Sequence, residues 1–386
     1  MKRAFVLSWV GITLLVFAGC GGTSRPPPAE EMGSSPGAAG GGGESFGGLD
    51  SGTAVPICGK MDDGSYCDCV DVPLFTDPPN LYFVLDRSGS MADGNKWAQV
   101  RSTMATVLRA LGPRANFGAE VFPGFANESC ALPVEIMPMS PGDPPGQGNG
   151  PTTSMFLART TDAPYGGTPM AEALREVLPK LKMLTGKSFV ILATDGGPNC
   201  NGTVSCGVNK CMPNIENQVG CPPGGPTNCC TLPYGTPESC LDDSPTAAAV
   251  SALKSAGFPT YIIGIPGSTP YANVLDALAI AGGTAQSTSP RYYAVSAAGS
   301  DALLATLKKI AAKIIATCDY TLTSAPADPG LVNVYLDEVV LPQDPVNGWK
   351  IDGDTVTLLG TACSSVLNGD VLGVRIVTGC PTVLIR

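Results

Sequence analysis

The sequence predicts an α/β fold: a doubly wound, mostly parallel six-stranded sheet with helices on both faces, followed by a small disulfide-tied β-rich C-terminal domain. Two observations carry this prediction. From residue 77 onward, short apolar runs alternate with segments of helical periodicity, and strands joined by helices form parallel sheets that are covered on both sides. After residue 318 the helical periodicity gives way to short β-type runs separated by turn residues.

Six apolar runs have the length and composition of strands. The first, LYFVLD, ends in an acid, and the fourth, SFVILAT, is followed directly by another acid. Runs of this length fit strands and are too short for independent helices. The predicted strands cover residues 81–86, 116–122, 132–137, 188–194, 259–264 and 292–295.

Helical segments lie between and after these strands. Their apolar residues recur at three- and four-residue spacing, which is typical of helices that bury one face. Gly112-Pro113 ends the first segment, and Ser244-Pro245 caps the start of a later one. The predicted helices cover residues 97–111, 244–257 and 303–315.

Composition excludes several classes of function. The chain of 386 residues contains no histidine, which removes histidine-based acid–base catalysis, the Ser-His-Asp arrangement and histidine-ligated zinc or haem. A formal net charge of −10 and the lack of a basic stripe argue against a nucleic-acid partner. An S-x-x-K match at Ser251 lies inside an amphipathic helix and lacks its companion motifs. We therefore expect a protein that is not an enzyme.

The first twenty residues, MKRAFVLSWVGITLLVFAGC, have the features of an export signal. Lys2 and Arg3 precede an apolar run that is shorter than the ~20 residues of a membrane-spanning helix. The FAGC ending resembles a bacterial lipoprotein cleavage site, where Cys20 is lipidated; an ordinary signal peptide with a chance cysteine is the alternative. We expect an exported protein, anchored to the cell envelope only through this lipid. Gly21 carries no acidic retention signal, which favours the outer membrane.

The chain divides into five predicted parts. A Gly- and Pro-rich stretch after the signal peptide has the composition of a flexible linker, which a surface-tethered domain needs. The predicted boundaries are 1–20 for the signal peptide, 21–56 for the linker, 57–76 for a short cysteine-containing segment, 77–317 for the α/β domain and 318–386 for the C-terminal domain.

The cysteines predict a disulfide framework. The chain contains 15, and an even number is left in this exported protein once Cys20 is set aside. An insertion over residues 198–244 holds seven of them, so at least one either pairs outside the insertion or stays free. Spacing does not fix the connectivity, and Cys363 with Cys380 is a reasonable local pair.

The insertion follows Asp195 so closely that it must emerge at the same edge of the sheet. Its high Pro and Gly content and weak periodicity mean that disulfides must hold it together. A functional interpretation is a stapled loop that shapes which ligand reaches this edge. The alternative is a surface excursion that contacts no partner.

Oxygen-bearing side chains gather at the ends of predicted strands. Asp86 ends the first strand and Asp195 follows the fourth, and the carboxyl ends of parallel strands meet at one rim, where ligands bind in such sheets. Ser88 and Ser90 alternate with Asp86 along DRSGS. Thr168 in APYGGTPMAEAL is a further candidate, because a glycine pair lets the backbone approach closely where a helix begins.

The segments DRSGS, GGTP and ATDG, in that order, resemble the metal-ion-dependent adhesion site of the von Willebrand factor type A (vWA) domain. The resemblance covers most of the α/β domain. It implies that Ser88, Ser90 and Thr168 offer hydroxyl oxygens to a divalent cation. It also implies that Asp86 and Asp195 bind this cation directly or hold its waters.

The donor chemistry fits such a site. Oxygen ligands suit a hard cation, and Mg²⁺ typically takes one or two carboxylates, so we expect Mg²⁺, with Ca²⁺ or Mn²⁺ as alternatives. Because the other donors are neutral hydroxyls, the cation keeps positive charge and favours an anionic ligand, such as an Asp or Glu carboxylate of a protein partner. The sequence therefore predicts a surface-tethered, metal-dependent binding or adhesion module.

Each site residue also has a purely structural interpretation. On this interpretation, Ser88 or Ser90 caps the helix that follows them, and Thr168 caps the helix that begins at Pro169. Asp195-Gly196 then forms a common turn. Two alternative functions follow. One is a structural envelope lipoprotein whose metal only stabilises the fold, and the other is an accessory subunit of an enzyme complex.

Overall fold

The computed structural model describes residues 70–71, 78–124, 128–144, 148–295, 299–337 and 339–384. The predicted signal peptide with Cys20, the predicted linker and most of the cysteine-containing segment lie outside the described residues. Among the helices that are described, none combines the length and the apolar character needed to cross a membrane.

Strands and helices alternate through the first two thirds of the described chain. The strands are β1 (Val70–Asp71), β2 (Asn80–Asp86), β3 (Asn116–Phe122), β4 (Val134–Pro141), β5 (Ser188–Thr194), β6 (Thr260–Gly264), β7 (Tyr293–Ala294), β8 (Asp319–Thr321), β9 (Val332–Leu336), β10 (Val339–Leu341), β11 (Trp349–Asp352), β12 (Thr355–Leu358) and β13 (Val374–Thr378). The helices are α1 (Lys96–Leu111), α2 (Pro151–Arg159), α3 (Met170–Leu181), α4 (Met212–Ile215), α5 (Asp243–Ser255), α6 (Ala272–Gly282), α7 (Ser300–Ile315) and α8 (Gly360–Asn368).

The central sheet has six strands in the order β4-β3-β2-β5-β6-β7. All neighbours are parallel except β3 and β4, so the predicted mostly parallel six-stranded sheet is confirmed. β4 begins two residues later than predicted and runs on to Pro141. A proline is tolerated there because β4 is an edge strand, and a residue on its open side does not need an N–H to bond to a neighbouring strand. The strand order reverses between β2 and β5, which makes this junction the topological switch point.

Helices cover both faces of this sheet, as predicted. Successive side chains of β2 point to opposite faces: Leu81 and Phe83 join a buried cluster with α1 and α7, whereas Tyr82 and Val84 join another with α3, α5 and α6. Every residue of β2 is buried. A strand that is apolar throughout its length is the expected consequence of a sheet covered on both faces.

The helix ends largely follow the sequence signals. α1 covers the predicted range and is followed by Gly112, whose φ of +50° suits glycine and ends the helix. α5 begins at Asp243, so the prediction that Ser244 caps this helix is wrong. Thr246 N–H donates to the carbonyl of Asp242, which is the N-cap and lies two residues before Ser244.

The C-terminal region forms two small antiparallel sheets, β1-β13-β9-β10 and β11-β12-β8, around a separate buried cluster. The sequence did not predict α8 between them. A disulfide joins Cys318 to Cys363 on this helix, so the predicted Cys363–Cys380 pair is wrong, and Cys380 belongs to a different disulfide. α8 accounts for the difference, because it places Cys363 beside the residues that lead into β8.

Disulfides hold the insertion together, as predicted. Three lie within it, Cys206–Cys240, Cys211–Cys230 and Cys221–Cys229. The seventh cysteine of the insertion, Cys200, pairs with Cys130 in the connection between β3 and β4. The odd count thus resolves as a link from the insertion to the body of the α/β domain.

Candidate metal centre

Asp86 lies at the switch point, at the carboxyl end of β2. Its carboxylate is buried, and each oxygen has a fixed partner: Oδ1 accepts a hydrogen bond from Ser88 N–H at 2.8 Å, and Oδ2 accepts one from the Thr194 hydroxyl at 2.6 Å. Thr194 is the last residue of β5. The two central strands therefore clamp this carboxylate between them.

A chain of hydroxyls joins the first loop to the second acid. The Oγ atoms of Ser88 and Ser90 lie 3.2 Å apart, and Ser90 Oγ donates to Asp195 Oδ1 at 2.8 Å. Ser88 is buried, whereas Ser90 is exposed, so the group opens to the surface at Ser90. The structure thus brings four of the five predicted site residues into one connected set.

The structural interpretation of the two serines does not fit the geometry. Ser88 precedes a short 3₁₀ turn (Gly89–Asn95) but makes no capping hydrogen bond with its side chain, and α1 has Asn95 at its N-cap. The hydroxyls point instead toward each other and toward Asp195.

Thr168 lies beside this set and is reached through the backbone. Gly89 N–H donates to the carbonyl of Gly166 at 2.9 Å, which joins the two loops. Thr168 is buried, and its hydroxyl makes no hydrogen bond with any other described residue. It does not cap α3, whose N-cap is Pro169. The structure therefore leaves the Thr168 oxygen without a structural role and does not bond it to the four other donors.

The glycine pair before Thr168 permits this close approach. Gly166 has a φ of +81°, which glycine adopts without strain. At Gly167 a Cβ atom would lie only 2.7 Å from Cys200 Sγ, which is too close for any side chain. The loop can therefore pass under the insertion only with glycine at these positions.

Asn199 fastens the Thr168 segment to the insertion, and sequence reasoning missed it. Thr168 N–H donates to Asn199 Oδ1 at 2.6 Å, and Asn199 N–H donates to the carbonyl of Thr168 at 3.0 Å. Because Asn199 both donates a hydrogen bond to Thr168 and accepts one from it, the contact is specific. Its only sequence signal is the position of Asn199 four residues after Asp195.

Asp86 and Asp195 bring two carboxyl groups together in a buried part of the site. Burial raises the pKa of Asp86 to about 7, and the neighbouring Asp195 adds to the rise, whereas hydrogen bonds from Ser88 and Thr194 oppose it. Two carboxylates this close favour the binding of a positive charge, because a cation relieves both their burial and their mutual repulsion.

Lys96 supplies one such charge and was also missed by sequence reasoning. Its ammonium contacts Asp195 Oδ2, and its side chain is only 12% exposed. Lys96 is the first residue of α1, where the helix dipole disfavours a cation. Its only sequence signal is a lysine six residues after Ser90, where a helix begins, and this does not say which acid the lysine contacts.

The donor set fits a hard divalent cation. It consists of two carboxylates and neighbouring hydroxyls, all oxygen, which is the set that Mg²⁺, Mn²⁺ and Ca²⁺ prefer. A second cluster of potential ligands in the described chain, Cys206, Cys230 and Cys240, has sulfur atoms within 4.8 Å of one another. All three are disulfide-bonded and provide no thiolate, so this cluster does not fit a metal.

A cleft of about 360 Å³ adjoins the rim next to Thr168. The Cys130–Cys200 disulfide, Asn199 and the first turns of α3 line it. Arg175 and Glu172, which form an ion pair at 2.9 Å, bring charge to its wall. The insertion therefore forms one side of a depression beside the candidate centre.

No family model and no curated protein matches the chain. Solved structures with a similar fold include the pilus adhesin SpaC from Lactobacillus rhamnosus GG, at 17% identity over 81% of this chain and 42% of that chain, with a TM-score of 0.46. The chain therefore spans less than half of SpaC.

Two smaller proteins are similar over nearly their whole length. The vWF domain of the type V pili tip protein Mfa5 from Porphyromonas gingivalis has 15% identity over 62% of this chain and 96% of that chain, with a TM-score of 0.41. Manganese-loaded TRAP protein from Plasmodium vivax has 17% identity over 76% of this chain and 96% of that chain, with a TM-score of 0.38. At these values the similarity concerns the fold alone. The doubly wound sheet brings the DRSGS and ATDG loops to its switch point, and the Gly89–Gly166 hydrogen bond joins the GGTP loop to them.

Proposed function

We propose that the protein is a metal-dependent binding module that captures an acidic side chain of a protein partner through a divalent cation at the switch point. The observation that carries this proposal is the connected set of oxygen donors from Asp86 through Ser88 and Ser90 to Asp195. Buried carboxylates and hydroxyls without capping roles are unusual for a loop that only reverses the chain.

Five residues would hold the cation: Asp86, Ser88, Ser90, Thr168 and Asp195. Mg²⁺ fits the donors best, and Mn²⁺ and Ca²⁺ accept the same oxygens. When bound, the cation would supply positive charge that neutral hydroxyls leave available for an anionic ligand. The chain's own residues fix the place: β2 and β5 clamp one carboxylate, and the hydroxyl chain orients the other.

The surroundings support a macromolecular partner. Ser90 is exposed, so a carboxylate can approach the centre from outside. The cleft beside Thr168 gives room for the chain that carries this carboxylate, and the Cys130–Cys200 disulfide holds one of its walls in place. On this proposal the insertion contributes to the choice of partner.

The proposed setting is the surface of a bacterial cell envelope, with Cys20 as the lipid anchor in the outer membrane. The disulfides of the described chain support an oxidising compartment. The proposed role is binding and not catalysis, since the rim offers carboxylates and hydroxyls while the chain contains no histidine.

The test is a titration of the full chain in detergent with Mg²⁺ and Mn²⁺ by calorimetry. Changing Asp86 and Ser88 together to Ala should abolish binding, because this removes one of two carboxylates and one hydroxyl. The matched control changes Asp354 and Ser364 to Ala, an exposed acid and an exposed hydroxyl of the C-terminal region, and should leave binding unchanged. Equal metal uptake by the two double variants would end the proposal.

A structural role is the second candidate, because Asp86 and Asp195 lie where the two central strands meet and a cation there would stabilise the fold. A pulldown from envelope extracts with and without EDTA separates the two roles. Partners that are lost with EDTA support capture of an acidic ligand. A lowered melting temperature with EDTA, and no metal-dependent partner, supports a purely structural metal.

A further inference from the structure

We infer that Lys96 is a built-in competitor of the divalent cation: its ammonium occupies the Asp195 side of the centre and must leave before a metal binds there. The inference rests on the proposed metal site and concerns how tightly that site binds. It identifies a residue outside the five donors that sets metal affinity.

Both oxygens of the Asp195 carboxylate are already engaged. Oδ1 accepts the hydroxyl hydrogen of Ser90 at 2.8 Å, and Oδ2 contacts the Lys96 ammonium. The Asp195 side chain is fully buried. Water therefore does not reach the ion pair from the Asp195 side and does not weaken it there. A divalent cation that uses Asp195 would meet the positive charge of Lys96 on the same carboxylate, so the two cations compete for it.

A third loop passes close to the Lys96 ammonium. Gly267, in the turn between β6 and α6, has a φ of +116°, and a Cβ atom there would lie 3.3 Å from Lys96 Nζ and 3.3 Å from the carbonyl oxygen of Asp195. The ammonium thus lies between the candidate centre and this turn. Such a position is specific, and an exposed lysine that meets an acid by chance would not be enclosed in this way.

The position of Lys96 in α1 gives an independent argument. The first turn of a helix carries partial positive charge, which favours acids and disfavours lysine. Among the described helices of eight residues or more, α3, α5 and α7 have an acid in their first turn, whereas α1 begins with Lys96. The ion pair with a buried carboxylate offsets this unfavourable location.

Exchange of the two cations is sterically reasonable. Lysine carries a point charge on a flexible four-carbon stem, so its ammonium can swing toward solvent without moving the helix. A divalent cation would be attracted by both carboxylates, Asp86 and Asp195, whereas the lysine contacts only Asp195. On this inference, metal binding at Asp195 is an exchange with Lys96 and not a simple addition.

The experiment compares Mn²⁺ affinity, by calorimetry and by electron paramagnetic resonance of free Mn²⁺, in the full-length wild type and Lys96→Met. Methionine keeps the length of the side chain and removes its charge. We expect Lys96→Met to bind Mn²⁺ at least about ten-fold more tightly, because the competing charge is gone. Its melting temperature should be lower than that of the wild type in EDTA and should rise more when Mn²⁺ is added.

Lys180→Met is the matched control. Lys180 also pairs with a buried carboxylate, Glu120 at 2.7 Å, but it belongs to a different cluster on α3 and β3. This variant loses the same charge and should bind Mn²⁺ as the wild type does. Lys96→Arg keeps the charge and should stay as weak as the wild type. If Lys96→Met does not fold, Lys96→Gln replaces it.

The outcomes separate the inference from the proposed function. Equal or weaker Mn²⁺ binding by Lys96→Met, with the wild type binding normally, overturns the role of Lys96 and leaves the metal site standing. Absence of Mn²⁺ binding in the wild type and in every Lys96 variant overturns both. Tighter binding by Lys180→Met as well would assign the effect to net charge and would also overturn the inference.

Discussion

Glu120 lies in the middle of β3 with its side chain fully enclosed, where most positions of the sheet hold apolar residues. Its Oε2 atom accepts hydrogen bonds from Lys180 Nζ at 2.7 Å and from the Tyr82 hydroxyl at 3.3 Å, while Oε1 has no partner among the described residues. Burial raises the pKa of Glu120 to about 7, and Lys180 opposes this rise. The folded protein therefore holds the Glu120 proton more tightly than the unfolded chain.

This gives a prediction for stability against pH. Because the folded-state pKa lies above the ordinary value of 4.5, the stabilisation is fully present below that pH and is lost as the pH rises through about 7. Between pH 4.5 and about 7, the unfolding free energy of Glu120→Gln should fall by about 3 kcal/mol less than that of the wild type. Urea titrations at a series of pH values measure it, and the contribution of Asp86 cancels in the difference.

Glu135→Gln is the control for this series. Glu135 accepts a hydrogen bond from the same Tyr82 hydroxyl at 2.8 Å but lies on the exposed side of β4. Its curve should therefore run close to that of the wild type. Parallel curves for the wild type and Glu120→Gln would show that Glu120 is ionised throughout and would contradict the prediction.

At the scale of single residues, the sequence predicted where side chains at the ends of strands lie. It did not predict where long side chains lie. Asp86 and Asp195 could be assigned to one rim because strand ends fix where short side chains lie. Lys96 could not, because a four-carbon stem reaches several places and only the folded loops decide which one it takes. Asn199 was missed for a related reason, since its partner is a backbone segment distant in sequence.

Secondary-structure elements were predictable where apolar periodicity was strong. The four inner strands of the central sheet, β2, β3, β5 and β6, were predictable because they are buried on both faces and so consist of apolar runs. α8 was not, because its sequence GTACSSVLN holds few strong helix formers and buries only Ala362 and Val366. The N-cap of α5 was predicted at Ser244 and lies two residues earlier, at Asp242, because Asp and Ser are both good caps and the sequence Asp242-Asp243-Ser244 offers three of them in a row.

The Cys130–Cys200 disulfide links two elements that are 70 residues apart in sequence. In the chain-entropy estimate, a loop of this size contributes about 4 kcal/mol, whereas the Cys221–Cys229 loop, with a separation of 8, contributes about 2 kcal/mol. We expect the Cys130→Ser, Cys200→Ser variant to lose more stability than the Cys221→Ser, Cys229→Ser variant. Denaturant titrations without reductant measure both.

The same two variants also test the cleft. Removal of Cys130–Cys200 frees the wall beside Thr168, so we expect weaker or less selective partner binding on top of the stability loss. Removal of Cys221–Cys229 leaves this wall attached. Identical partner binding by both variants would indicate that the insertion has no part in recognition.

At the scale of the whole molecule, a cation at the switch point would join the two central strands of the main sheet. Any ligand that binds only the folded state stabilises it by mass action, by about 3 kcal/mol at a hundred times its Kd. We expect Mg²⁺ to raise the unfolding free energy by this amount, measured by urea titration against NaCl of equal ionic strength. The double variant of Asp86 and Ser88 to Ala should not respond, and an equal response would contradict a cation site there.

The overall architecture was predictable because the alternation of strands and helices leaves few ways to arrange a parallel sheet. The disulfide pattern was not, since many pairings satisfy the same count and only the folded positions of the cysteines select among them. The sequence was informative only about the number of cysteines. Because the insertion holds an odd number, one of them had to pair elsewhere or remain a free thiol.

The pairing of β1 with β13 has a mechanical consequence. Tension applied upstream of Val70 reaches this short antiparallel pair first, through the rungs Val70–Thr378 and Asp71–Val377, and so loads the C-terminal sheet. Once these two rungs open, the pull passes along the backbone to β2, the strand that ends in Asp86. If the proposed lipid anchor were under tension, the force would then act on the strand that ends at the proposed metal site.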